Sequence, residues 1–176
     1  GARVYNTDPE TPVAERDFES PRDFNGHGTH TSSTAAGNNG VPATVNGDPV
    51  GNVSGMAPSA RVAAYKVCWE FEDPSDPTAG GCPTSDSLLA IDEAILDGVD
   101  VINYSISGGT TPFSDPTELA FLDAYAAGVY VSTSAGNEGP GASTANHLSP
   151  WTTSVAASTQ LREFGSDLTL TAGSET

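Results

Sequence analysis

Two histidines, His27 and His30, are the residues whose spacing most clearly suggests chemistry. They lie three residues apart in a run of glycines and small hydroxylated residues, 25–37. Such a pair could provide a general base, ligate a metal ion or simply pack within a helix. Metal-binding helices of the zincin type place their histidines at i and i+4 with an intervening Glu, so the spacing disfavours a metal site. Gly26 and Gly28 leave the imidazole of His27 unshielded, as a general base requires.

An asparagine, Asn137, is the second candidate. It follows Ala135 and Gly136 at the end of the apolar run 129–134. At the mouth of a buried strand, its side-chain amide can donate a hydrogen bond to an oxyanion that develops on a substrate. An isolated Ala-Gly-Asn sequence is also typical of a plain turn, so the role of Asn137 depends on whether the fold brings it near the histidines.

The elements that must position these residues begin with a helix. We predict that it opens near His27 and ends at Gly37, since glycine tolerates the left-handed conformation of a helix C-terminus. His27 then lies at the N-terminal end of the helix dipole, which disfavours imidazolium, and His30 lies one turn later on roughly the same face. Residues 38–55 are rich in glycine and proline, which predicts an extended surface loop.

Apolar strands and amphipathic helices alternate along the rest of the chain. The predicted strands are residues 60–67, 99–104, 129–134 and 153–157. The first of them has apolar residues at both odd and even positions, as expected of a strand that is buried on both faces. A helix is predicted to open at Thr84 or Ser85 and to end at Gly98. One stripe of this helix is apolar: Leu88, Ile91 and Ile95.

A further helix is predicted to start at Asp115. Pro116 follows in the first turn and Glu118 stands three residues after the cap, the arrangement of a capped N-terminus. Three apolar residues are expected to form its buried face: Leu119, Leu122 and Ala126.

This alternation of strands and helices with short connections predicts an α/β fold with a mostly parallel sheet flanked by helices. In such sheets the functional residues collect at the carboxyl ends of the strands. Residues 105–109 and 135–137 both occupy that position. The predicted fold would therefore bring Asn137 to the edge of the sheet where ligands bind.

The composition excludes some classes of function. The 176 residues are enough for one domain with a core, and their net charge of -17, with Lys66 as the single lysine, argues against binding to nucleic acid. An acidic surface is the plain interpretation; a calcium requirement is the alternative, but no spacing assigns a site, and we predict no cofactor. No apolar run is long enough to span a membrane.

Cys68 and Cys82 are the two cysteines, and they bracket a segment rich in glycine and proline. No second cysteine pair is present to complete a zinc site, so a disulfide that closes this segment is favoured over two free thiols. A disulfide predicts an oxidising, extracellular location.

The run 25–37 resembles the histidine block of the subtilisin-like serine proteases, the subtilases. Residues 131–139 are similar to the segment that carries the oxyanion asparagine of that family, and 63–69 and 150–159 to its plant-type, cucumisin-like branch and bacterial relatives. The resemblance implies a serine endopeptidase with a three-layer subtilisin-like domain. It assigns the general base to His27, no chemical step to His30 and the oxyanion donor to Asn137.

The resemblance also implies two walls for an extended peptide substrate. One wall is formed by Ser105, Ile106, Ser107 and Gly108, and the other by Ser134, Ala135 and Gly136. Exposed backbone at a strand end can pair with a peptide of almost any sequence. Ser107 departs from the glycine that the family commonly has after the Ser-aliphatic pair, so the register of the first wall could differ by one residue.

Two blocks that the family requires have no counterpart here. No Asp-Thr-Gly or Asp-Ser-Gly precedes His27, and Asp8, Asp17 and Asp23 match only in residue type. No Gly-Thr-Ser-Met-Ala block for the nucleophile occurs either. We therefore expect residues 1–176 to be the central part of a catalytic domain, truncated at both ends and inactive alone.

Several serines lack the glycine-flanked turn of a nucleophile and are expected to lie in turns or packing sites: Ser32, Ser33, Ser105, Ser134 and Ser154. The expected partners are a peptide or protein substrate and the remaining segments of the same protease, with no nucleic acid and no membrane. The alternative is a non-catalytic peptide-binding or structural module that has a subtilase-like fold and no triad.

Overall fold

Three parallel strands with two helices on one face form the centre of the fold. The computed structural model describes residues 2–7, 12–73, 75–76, 79–161 and 165. The helices are α1 (His27–Ala36), α2 (Thr84–Leu96) and α3 (Pro116–Ala126). The strands are β1 (Ala2–Val4), β2 (Val41–Val45), β3 (Asp48–Val53), β4 (Ala64–Lys66), β5 (Trp69–Glu70), β6 (Gly80–Gly81), β7 (Val101–Tyr104), β8 (Tyr130–Ser134) and β9 (Thr153–Val155).

The central sheet has the strand order β7-β8-β9, and both pairs are parallel. Asn103 lies opposite Ser132, and Ser134 lies opposite Val155. Helix α3 connects β7 to β8, as a parallel connection requires. The parallel α/β sheet that the sequence predicts is therefore confirmed. A second parallel pair joins β1 to β4.

The core lies between this sheet and helices α2 and α3. Phe121 and Ala124 of α3 are fully buried and pack with Ile91 of α2 and Val131 of β8. Alternate strand residues point to opposite faces, and the face away from the helices carries Val101, Tyr130 and Val155, which are 57%, 53% and 55% exposed. Within the described residues, α2 and α3 cover one face of the sheet.

The starts and ends of α2 and α3 follow from local chemistry. The Asp115 carboxylate accepts hydrogen bonds from the N–H groups of Thr117 and Glu118 at 2.9 and 3.2 Å, so it caps α3 as predicted. Gly98 and Gly128 follow the two helices with φ of +71° and +86°, a left-handed conformation that glycine adopts without strain.

Residues 38–55 form a β-hairpin, so the prediction of an extended loop was wrong. Strands β2 and β3 pair antiparallel, and the chain reverses at Asn46 and Gly47, whose φ values are +52° and +93°. Two successive left-handed residues make the type of turn that Asn-Gly favours between strands.

Two other predictions require correction. The strand expected over residues 60–67 covers only Ala64–Lys66 and is not buried on both faces, since Ala64 is exposed and Tyr65 and Lys66 are only partly buried. The buried face of α3 is also different from the predicted one: Leu119 and Leu122 are 41% and 37% exposed. Ala120, Phe121 and Ala124 face the core instead.

The predicted disulfide joins Cys68 to Cys82. Strands β5 and β6 pair antiparallel, with Trp69 opposite Gly81, and so bring the two cysteines together. Among the described helices, none combines the length and the apolar character that crossing a bilayer would need.

Candidate active site

Helix α1, which carries both candidate histidines, is held at its two ends by other segments. At the start, the Asp23 carboxylate accepts hydrogen bonds from the N–H of Gly26 at 2.9 Å and from Thr29. Burial disfavours ionisation of Asp23, but these hydrogen bonds outweigh it, so the pKa of its carboxyl lies below the ordinary value. Asp23 thus acts as the cap of α1.

At the other end, residues 55–57 donate to the last carbonyls of α1. The N–H groups of Gly55, Met56 and Ala57 bind the carbonyl oxygens of Gly37, Thr34 and Ala35 at 2.8–3.0 Å. Gly37 is extended, with φ of -62°, and does not adopt the left-handed conformation predicted for it. The neighbouring backbone explains the glycine at 55, because a Cβ there would lie 2.8 Å from the carbonyl carbon of Ala36.

His27 is the first residue of α1, His30 follows one turn later, and both are exposed. Among the residues that the structure describes, neither imidazole has a hydrogen-bond partner. The carboxylate of Asp17 is engaged by Lys66 at 2.7 Å, and that of Asp23 by the start of α1. Neither aspartate orients His27, and Asp8 lies outside the described residues.

Four of the five serines that lack the turn of a nucleophile have hydrogen-bond partners elsewhere. Ser32 and Ser33 donate to backbone carbonyls within α1. The Ser105 hydroxyl accepts from the amide of Asn103 at 3.0 Å, and that of Ser154 donates to the carbonyl of Asn146 at 3.0 Å. Within the described part of the chain, no serine hydroxyl is hydrogen-bonded to the imidazole of His27 or His30.

A cavity joins α1 to the carboxyl end of β7. It has a volume of about 240 Å³, and its lining includes His30 and Thr34 from α1 and Asn103 and Ser105 from β7 and the segment after it. The histidine helix therefore lies beside the predicted first wall, Ser105 to Gly108. Ser107 is exposed, and the other three residues of that wall are partly buried.

The second wall follows β8, the strand that neighbours β7. Ser134, Ala135 and Gly136 are partly buried, and Asn137 is exposed at the end of the same segment. Gly136 has φ of +82°, and a Cβ there would lie 2.7 Å from Nδ2 of Asn146. The backbone N–H of Asn137 donates to the carboxylate of Glu138 at 2.9 Å. The side-chain amide of Asn137 has no hydrogen-bond partner among the described residues.

Asn146 connects the two walls, a role that the sequence did not suggest. Its Oδ1 accepts from the N–H of Gly108 at 2.7 Å, and its own N–H donates to the carbonyl of Ala135 at 3.0 Å. Its Nδ2 also donates to Glu138 at 3.2 Å. The distance between the walls is therefore fixed by one buried side chain and its backbone.

The third histidine of the chain, His147, was also not predicted from the sequence. It is 2% exposed and contacts Glu118 and the backbone of the first wall. A lone polar residue in a loop gives no signal of a buried contact. Glu118 gave a weak signal, since it shares the helical face of Phe121, three residues later.

No cluster of three or more His, Cys, Asp or Glu that could hold a metal ion occurs among the described residues. The described residues include an accessible imidazole at the start of α1, an accessible side-chain amide after β8, and the backbone of the two walls. These are the groups that acyl transfer to an activated nucleophile requires.

Comparison with known proteins shows the family of the chain. Residues 3–172 match the Subtilase family. The chain is 49% identical over 158 residues to subtilisin-like protease SBT1.6 of Arabidopsis thaliana, an alignment that covers 88% of the chain and 20% of the relative. It is 44% identical over 169 residues to subtilisin-like protease SBT1.3 of the same plant, with 93% and 20% covered. The chain thus spans about a fifth of the length of these curated relatives, and it belongs to the subtilase family.

Proposed function

We propose that this chain forms the central part of a serine endopeptidase domain and supplies its general base, its oxyanion donor and its peptide-binding walls. The observation that carries the proposal is the cavity of about 240 Å³ between α1 and the end of β7. Its lining includes His30 of the histidine helix and Ser105 at the carboxyl end of β7, the edge of a parallel sheet at which functional residues collect.

In this proposal, His27 removes the proton from a serine hydroxyl as that oxygen attacks the scissile carbonyl carbon. The carbonyl oxygen becomes an oxyanion, which accepts a hydrogen bond from the Asn137 amide. His27 then gives the proton to the departing amine nitrogen, and the acyl-enzyme is hydrolysed by water through the same two residues. This chemistry needs no cofactor.

The two walls hold the substrate on either side of its backbone. Residues 105–108 continue from β7, and residues 134–136 continue from the adjacent β8, so their backbone groups lie at the edge where a peptide can add as a further strand. Main-chain hydrogen bonds give affinity without reading sequence, which is consistent with a protease that accepts many peptides.

The nucleophilic serine and the aspartate that orients His27 come, in this proposal, from segments outside these 176 residues. The described residues support this, because Asp17 and Asp23 are engaged elsewhere. The sheet face that exposes Val101, Tyr130 and Val155 would be covered by those segments, completing a three-layer domain. The Cys68–Cys82 disulfide fits a secreted protease.

The full-length protein that contains this chain tests the proposal. A fluorophosphonate probe should label one serine outside residues 1–176, and labelling should abolish hydrolysis of a peptide substrate. A labelled serine within residues 1–176 would contradict the assignment of the nucleophile. A full-length protein that binds peptides, is not labelled and does not hydrolyse them would instead be the non-catalytic peptide-binding module.

A further inference from the structure

The buried pair of His147 and Glu118 has no role in the chemistry described so far. Glu118 is 0% and His147 2% exposed. Nδ1 of His147 lies 2.5 Å from Oε1 of Glu118, and Nε2 of His147 lies 2.7 Å from the carbonyl oxygen of Ile106. Ile106 belongs to the first peptide-binding wall, so the pair touches that wall directly.

The proton positions follow from the partners. The Ile106 carbonyl can only accept, so Nε2 of His147 must carry a hydrogen. The second carboxylate oxygen of Glu118 accepts from the hydroxyl of Ser149. One further proton must lie between Nδ1 and Oε1, because a carboxylate that faced the lone pair of Nδ1 would be a buried, uncompensated charge. The two side chains therefore form a pair without net charge that points one donor at the wall.

The backbone around His147 is also fixed to the wall. The N–H of His147 donates to the carbonyl of Gly108 at 3.1 Å, and that of Leu148 donates to the carbonyl of Gly109 at 3.3 Å. His147 has φ of +52°, a left-handed conformation that is uncommon for residues other than glycine, although histidine adopts it more often than most of them. Such a conformation persists only where the surroundings determine it, and it is common at ligand-binding sites.

The packing leaves the pair little freedom. The ring of His147 meets those of Tyr104 and Phe121 edge to face, at 5.6 and 6.1 Å between centroids. Gly109 lies against the pair, since a Cβ at that position would be 2.7 Å from Nδ1 of His147. The imidazole is therefore held in one orientation, with its donor on Ile106.

We propose that His147 and Glu118 are positioning residues for peptide binding. Together they hold the Ile106 carbonyl and the Gly108 backbone in the geometry that an extended substrate needs. This inference rests on the proposed function. It concerns how tightly a long peptide binds and not the bond-breaking step, so its signature is a change in KM with little change in kcat.

Four variants distinguish the effect of losing the contact between His147 and the first wall from the effect of destabilising the fold. His147→Asn keeps a residue that tolerates the left-handed backbone and can still bind Glu118, but its shorter side chain cannot reach Ile106. Glu118→Gln can donate to Nδ1 of a neutral His147 and accept from Ser149, so it preserves every hydrogen bond. Glu118→Ala leaves His147 and Ser149 unpaired. Asp123→Ala, at an exposed position of the same helix, is the matched control.

The experiment measures kcat and KM of the full-length protein with a long peptide, together with the rate of fluorophosphonate labelling. We expect KM to rise about tenfold in His147→Asn and Glu118→Ala, because a buried hydrogen-bond partner is lost. Glu118→Gln should restore KM to within about twofold, and Asp123→Ala should match the wild type. Labelling rates should change little in every variant.

The contrary outcomes are distinct. If KM of His147→Asn and Glu118→Ala stays at the wild-type value, or if Glu118→Gln fails to restore it, the positioning role is wrong while the endopeptidase assignment stands. If kcat and the labelling rate fall together with thermal stability, the pair only supports the fold. If the wild type is neither labelled nor active, the proposed function fails, and the positioning role fails with it.

Discussion

Oδ2 of Asp23 accepts hydrogen bonds from both the N–H and the hydroxyl of Thr29, at 2.8 and 2.7 Å. Its Oδ1 accepts from the N–H of Gly26. One carboxylate thus binds the turn on either side of His27 and fixes where α1 begins. The orientation of the candidate general base depends on this contact, although Asp23 does not itself touch the imidazole.

Replacement of Asp23 by alanine should destabilise the start of α1. Loss of a helix cap costs about 0.5–2 kcal/mol, and we expect that decrease in the free energy of unfolding at pH 7, measured by urea denaturation. Because the folded-state pKa of Asp23 lies below that of the unfolded chain, its stabilisation is complete above about pH 4 and disappears as the pH falls through the folded value. A difference between wild type and Asp23→Ala that stays constant from pH 7 to pH 2 would contradict the cap.

Lys66 and Asp17 form a nearly buried ion pair, with side chains 12% and 2% exposed. The Lys66 ammonium also donates to the carbonyls of Phe18 and Arg22, so it holds the segment before α1. Lys66→Met leaves the Asp17 carboxylate buried without its cation, and we expect a loss of about 3–5 kcal/mol. The double variant Lys66→Met/Asp17→Asn should recover part of that loss in thermal or urea unfolding. Equal stability of the single and double variants would show that the pair is not coupled.

Gly136 belongs to the second peptide-binding wall, and Gly128, which follows α3, is a control for the effect of replacing a glycine with positive φ. Both have positive φ, but a Cβ meets no atom within 4 Å at Gly128, whereas at Gly136 it would collide with Asn146 and Glu138. Substitution by alanine should cost each about 1–2 kcal/mol of stability from backbone strain. Only Gly136→Ala should also raise KM for a long peptide, because it displaces the side chain that joins the walls. A similar KM in both variants would contradict the claim that Asn146 affects peptide binding by joining the two walls.

Asn137→Ala should lower kcat and leave KM nearly unchanged, since the Asn137 amide is proposed to bind the oxyanion and not the ground-state peptide. Loss of such a donor cost about 10²–10³-fold in kcat when it was measured in a subtilisin, and we carry that figure over. Asn38→Ala, at an exposed position after α1, is the control and should keep wild-type kinetics. A tenfold rise in KM with constant kcat in Asn137→Ala would assign it to substrate binding instead.

Much of the fold was predictable because it is encoded locally. The Asp115 cap, the glycine at position 98 after α2, the apolar stripe of α2 and the apolar run of β8 each depend on neighbours in sequence, and all were predicted. The hairpin of β2 and β3 was also encoded locally, in Asn46 and Gly47, but the abundance of glycine and proline obscured that signal.

Other features depend on tertiary contacts that no local pattern contains. Leu119 and Leu122 have the spacing of a buried stripe, yet the small side chains of Ala120 and Ala124 allow α3 to pack closely on the sheet through the neighbouring face. Glu118 occupies a capping-box position, but the backbone N–H of Asp115, which Glu118 would bind there, already donates to the carbonyl of Thr111 at 2.9 Å. The carboxylate of Glu118 is therefore available for His147, 29 residues away.

The rate of peptide hydrolysis by His27→Ala in the full-length protein tests the central claim most directly. Removal of a general base should lower kcat at least about a hundredfold, with thermal stability close to that of the wild type, since His27 is exposed and makes no side-chain hydrogen bond among the described residues. His30→Gln should lower kcat far less. Wild-type kcat in His27→Ala, or an equal loss in both variants, would contradict the assignment of His27 as the general base.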